Sequence, residues 1–145
     1  MGRIIEKVAP VLLSIVAMCL YWRYEPVCLQ MKEIIKEFPT IGTFTFGFLL
    51  TLFGLIHQGC NSVISSFKNR KGLYKRFVHY NRDTVFMSLM LTVYSYVLSN
   101  LTIWECGSPT AVHIVVTLFV GGFVYFFITS VYFLYLFYLL VERDS

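Results

Sequence analysis

The chain has 145 residues, of which 57% are hydrophobic and 14% charged, with a formal net charge of +4. Its mean hydropathy is +0.69, and soluble domains usually carry ~25% charged residues. A water-soluble fold of this length could not hide so much apolar surface, so part of the solvent must be lipid; four cysteines with no CxxC pair also exclude a disulfide-rich secreted scaffold.

A bilayer core needs ~20 apolar residues per helix. The first apolar run, 8–22, lengthens through Ile4 and Ile5, with Lys7 and Arg23 placed to reach the two interfaces. No small-residue cleavage site follows it, so it is expected to be retained. The segment 27–38 places Val27, Met31, Ile34, Ile35 and Phe38 on one face, opposite Lys32, Glu33, Lys36 and Glu37. This predicts an amphipathic helix between Pro26 and Pro39, lying on the outer leaflet or capping a bundle.

The second span, 40–66, contains no Asp, Glu, Lys or Arg. Thr43, Gly47, Thr51, Gly54 and Gln58 share one of its faces, a spacing that suits either close helix packing or, at Gln58 and His57, a polar ring in an oligomer. The segment 67–83 gathers Lys68, Arg70, Lys71, Lys75, Arg76 and Arg82, half of all cations, among Tyr74, Phe77 and Tyr80. Either this charge only orients the chain and attracts anionic headgroups, or it grips an anion carrying phosphates and bases, with cations on phosphate and rings on bases. The expected ligand-binding set is Lys68, Arg70, Lys71, Tyr74, Lys75, Arg76, His79 and Arg82.

The third span, 84–104, carries a hydroxyl ladder of Ser88, Thr92, Ser95 and Ser99, which either packs against neighbours or, with Gln58, lines a pore. The fourth, 113–141, is dominated by Phe and Tyr, and its Val120–Phe123 stretch, VGGF, allows a bend or a close crossing. None of the spans alternates as barrel strands do. The expected fold is therefore all-α, an integral membrane bundle of four transmembrane helices.

Nine cations fall on the side shared by both termini and 67–83; three, Arg23, Lys32 and Lys36, fall opposite. By the positive-inside rule both ends are cytoplasmic. Cys28 and Cys106 then share the outer side, where a disulfide or two free thiols are the alternatives. Cys19 and Cys60 read as packing residues. The spans hold no carboxylate for proton coupling and no arginine ladder for voltage sensing. No metal or phosphate motif is present, so neither a cofactor nor an enzymatic activity is expected.

The stretches SSFKNRKGLYKRFVHYNRDTVFMSLMLTVYSYVLSNL and FYLLVERDS, in this order of parts, resemble the family of the small four-span membrane protein of the phage lambda Rex exclusion system. The resemblance is one of layout and implies an ion-conducting effector of phage defence in a bacterial inner membrane, triggered by a cytoplasmic sensor protein. It implies no residue-by-residue role. The expected function is a gated channel that depolarises the cell, built as a homo-oligomer, a tetramer being favoured. Its control would come from an anionic ligand, a nucleotide, oligonucleotide or lipid headgroup, bound at the basic segment. The alternative is a non-conducting membrane anchor or scaffold that recruits a cytoplasmic partner.

Overall fold

The computed structural model describes residues 2–24, 28–58, 71–101 and 103–142. Four long helices, α1 (Gly2–Tyr24), α2 (Cys28–Gln58), α3 (Lys71–Asn100) and α5 (Pro109–Glu142), are joined by a single-turn helix, α4 (Ile103–Cys106). The described residues contain no strand.

Several boundaries differ from those expected. The amphipathic segment 27–38 and the span from 40 are one helix, α2, which runs straight through Pro39. A proline removes the donor for the carbonyl four residues before it, here that of Ile35. The hydroxyl of Ser95, from α3, donates to that same carbonyl, and Ile35 and Ser95 are both fully buried. The neighbouring helix thus replaces the bond that Pro39 cannot make, so the helix need not end there. Likewise the basic segment from Lys71 onward and the third span are one helix, α3. The described helix ends at Asn100 rather than 104: Trp104 folds back, donating from Nε1 to the Leu98 carbonyl at 2.9 Å, which satisfies one of the carbonyls orphaned at the helix end.

The helix α5 begins four residues earlier than 113. Pro109 occupies its first position, where a missing N–H costs nothing. Ser108 precedes it, accepting the Ala111 amide on its carbonyl at 3.0 Å and on its hydroxyl oxygen at 3.3 Å.

Spacing explains the packing. The buried residues of α3 are Phe77, Asn81, Thr84, Ser88, Leu91, Ser95 and Leu98, four and three apart in strict alternation. Phe119, Phe126, Phe133 and Thr129, Leu136 repeat by seven on α5, and Ile35, Phe38, Gly42 and Leu49 follow the same rhythm on α2. This is the period of helices that wind around one another with a left-handed twist. The helix α3 packs between α2 and α5, while α1 packs chiefly on the other flank of α5. Bonds from Ser88 to Gly42 and from Ser95 to Ile35 set α2 and α3 antiparallel. The Phe77–Phe133 and Tyr80–Tyr132 ring contacts, with the Tyr94 hydroxyl on the Val115 carbonyl at 3.0 Å, do the same for α3 and α5.

The paired glycines of VGGF serve two neighbours at once. A side chain on Gly121 would overlap Met18 of α1, and one on Gly122 would come within 2.8 Å of Leu91 of α3. The close approach of α2 to α3 is at Gly42, where a methyl group would overlap Thr92.

Candidate functional site

Among the described residues one helix is long and apolar enough to cross a membrane: Pro109–Leu139 of α5, 31 residues whose most apolar stretch has a mean hydropathy of 2.3. Only 28% of its most apolar stretch is buried against the rest of the protein, whereas the central helix of a soluble fold is mostly buried. The run Val8–Tyr24 of α1 is apolar but shorter. Large apolar side chains face outward on every long helix, among them Leu12 (55%), Phe44 (78%), Val93 (53%) and Phe127 (60%). Exposed apolar surface on this scale marks a surface that water does not cover.

Against this background the polar side chains fall into three places. The first is the expected hydroxyl ladder. Ser88 and Ser95 are fully buried beneath α2, donating to the carbonyls of Gly42, at 3.1 Å, and Ile35. Thr92 and Ser99 are half-buried and donate within α3, to Ser88 at 2.7 Å and Tyr96 at 2.9 Å. Ser88 and Ser95 therefore do not line an opening in the protomer, because α2 covers them. Gln58, the other expected pore residue, has a side chain outside the described residues, as do Cys28 and Cys106.

The second place is the outer face of α2. Thr43, Gly47 and Thr51 are exposed and Gly54 half-buried, and nothing lies within 4 Å of where a side chain on Gly47 or Gly54 would begin. Among the described residues, Gly47 and Gly54 of this stripe therefore make no close contact with another helix. The Thr43 and Thr51 hydroxyls donate to their own helix, at Pro39 (2.7 Å) and Gly47 (2.8 Å), leaving their oxygens outward as acceptors. Glu33, Lys36, Glu37 and Thr40, all exposed, continue the same face toward the helix start. The bonds between α2 and α3 put residue 37 level with residue 93 of α3. From there to the level of Asp83 is ten residues, about 15 Å at ~1.5 Å per residue, half of a ~30 Å hydrocarbon core. Charges on α2 thus lie at the level of exposed apolar side chains of α3 such as Val93.

The third place is the basic end of α3. Lys68 and Arg70 lie outside the described residues, and Lys71 is described only in its backbone. Lys75 is exposed, Tyr74 and Arg76 half-buried. His79, Arg82 and Asp83 form a closed set: His79 Nε2 lies 3.3 Å from Asp83 Oδ2, Arg82 Nη2 lies 3.2 Å from His79 Nδ1, and Arg82 donates to Asp83 Oδ1 from Nε at 3.4 Å and Nη2 at 3.3 Å. Two expected ligand residues are therefore partly neutralised by a carboxylate that the basic composition concealed. Phe77 is not at the surface; it packs against Leu49, Phe133 and Leu136.

Sequence reasoning missed Asn81, only 2% exposed, with an Oδ1 that has no hydrogen-bond partner among the described residues. It also missed the pair His113–Trp22, rings 4.5 Å apart edge to face, which holds the end of α1 to α5. Cys19 is exposed rather than packed. No three His, Cys, Asp or Glu side chains among the described residues are placed to hold a metal. Compared with known proteins, the chain matches no family model, no curated protein and no solved structure. Fold and surface together define an all-α chain in which, among the described residues, one helix is long and apolar enough to cross a membrane.

Proposed function

We propose that this chain is a multi-pass membrane effector: four helices cross the bilayer with both ends cytoplasmic, copies assemble around a shared aqueous path, and the basic end of α3 controls it. The observation that carries this reading is the polar outer face of α2. Glu33, Lys36 and Glu37 at the depth of an apolar belt require water or a polar partner, and they line up with Thr40, Thr43, Gly47 and Thr51 on the face turned away from the bundle. A path lined by α2 between copies supplies water to all of them. The lining thus moves from the α3 ladder to α2, with Gln58 on the same face by sequence spacing.

Control follows from mechanics. The helix α3 is one rod from Lys71 to Asn100, bonded to α2 at two levels by Ser88 and Ser95. An anion drawn to Lys75 and Arg82 acts on that rod, and the rod carries α2 with it. The ligand shifts the channel only so far as it prefers one position of the rod. A role in phage defence, with depolarisation as its outcome and a sensor protein as partner, rests on the resemblance to the Rex membrane family.

A second reading, a non-conducting anchor, is favoured by the burial of Ser88 and Ser95. Purified protein in liposomes separates the two. A channel gives ion flux that a thiol-reactive methanethiosulfonate blocks in Thr51→Cys, in a background without the native cysteines, and that changes in Lys75→Glu. Flux-free liposomes under every condition sink the channel reading and leave the anchor.

A further inference from the structure

We propose that the groove between α3 and α5 is a binding site for one acyl chain of an anionic phospholipid whose phosphate sits on Lys75 and Arg82; this rests on the membrane reading above and names the anion. The groove has a volume of about 420 Å³ and is lined by Met87, Met90, Val93, Tyr94 and Val97 of α3 with Leu118 of α5, within the size range of small-molecule sites. Three features select the occupant.

The first is length. Met87 to Val97 spans ten residues, about 15 Å, the depth of one leaflet of a ~30 Å core. The second is that cations stand at one end only. Lys75, His79 and Arg82 follow one another up α3 at four and three residues, and the same face continues as Phe86, Met90, Val93 and Val97. Helical side chains lean toward the N-terminus, so Arg82 points away from the groove toward the cytoplasmic interface, where a phosphate belongs. The third is available donors. Arg82 spends Nε and Nη2 on Asp83 and His79, while its Nη1 and the exposed Lys75 ammonium have no partner among the described residues. Asp83, at the foot of the groove, is held by Arg82 and His79, which lowers its repulsion of an incoming phosphate. A free nucleotide uses the cations but leaves the groove empty; a zwitterionic lipid uses the groove but gains little from the cations. An anionic phospholipid uses both.

The test measures the melting temperature of the full chain in dodecyl maltoside micelles with added dioleoylphosphatidylglycerol, dioleoylphosphatidylcholine, glycerol phosphate or a short oligonucleotide. Phosphatidylglycerol alone is expected to raise it in a saturable way. Lys75→Gln is expected to weaken the apparent affinity about fivefold, as one basic residue near a surface supplies. Val93→Trp, which fills the groove from an exposed position, is expected to abolish saturation, with Val97→Trp as its companion should the first fail to fold. Equal stabilisation by phosphatidylcholine or glycerol phosphate overturns the proposal, as does a response unchanged in these variants. An oligonucleotide that stabilises the protein, with an effect lost in Lys75→Gln and kept in Val93→Trp, also overturns it and assigns the cations to a soluble ligand. Flotation with phosphatidylcholine vesicles separates the two levels of failure: protein that does not float removes the membrane reading itself, whereas protein that floats without preference for phosphatidylglycerol removes only this site.

Discussion

Ser95 illustrates how one hydroxyl can decide the course of a helix. Its partner is the Ile35 carbonyl, which Pro39 leaves without an intrahelical donor. Removing the hydroxyl strands a buried acceptor, which costs ~1–3 kcal/mol. Ser95→Ala is therefore expected to destabilise the protein by about that amount in a denaturant melt. Pro39→Ala restores the amide, so in that background the same substitution is expected to cost less than ~0.5 kcal/mol. Equal costs in the two backgrounds would show that Ser95 acts by packing alone. The serine was visible in the sequence as part of a ladder; its purpose was not, because the acceptor lies sixty residues away.

The two faces of α2 differ in what they tolerate. Gly42 faces α3, where a methyl group would meet the branched, hydrogen-bonded Thr92 and the ring of Phe38. Gly42→Ala is expected to lower stability by ~1–3 kcal/mol despite the better helix propensity of alanine. Gly47, with open space beside it, is expected to gain up to ~1 kcal/mol from the same change in monodisperse protein. If Gly47→Ala instead costs stability only when the protein is assembled in a bilayer, the outer face of α2 is an interface between copies. From the sequence alone the outer stripe suited a packing face as well as a polar ring. Thr43, Gly47, Thr51 and Gly54 have the composition of a packing face, yet the seam runs along Ile35, Phe38, Gly42 and Leu49. Small residues suit either side of a helix, so composition cannot choose between them.

For the molecule as a whole, the apolar belt and the two charged ends forecast accessibility. In a cysteine-free background, Glu33→Cys is expected to react with an impermeant maleimide applied outside intact cells, and Lys75→Cys only after the membrane is opened. Labelling of Lys75→Cys from outside would reverse or break the four-span topology, and with it the control scheme. Both side chains are exposed, so a failure to label reflects the membrane rather than burial in the protein.

The sequence by itself determined that the chain is helical, more apolar than a usual soluble domain, and uneven in where its charge falls, because periodicity and composition are local properties that each segment expresses alone. It also placed Lys75, His79 and Arg82 of α3 on one stripe. Only the tertiary structure decided that Pro39 does not interrupt its helix, that Ser88 and Ser95 are covered, and that Asp83 binds back Arg82 and His79. Each of those outcomes depends on which helix lies beside which, and on the register between them. Bonds such as Ser88 to Gly42 set that register across 46 residues of chain, a distance over which no local pattern carries information.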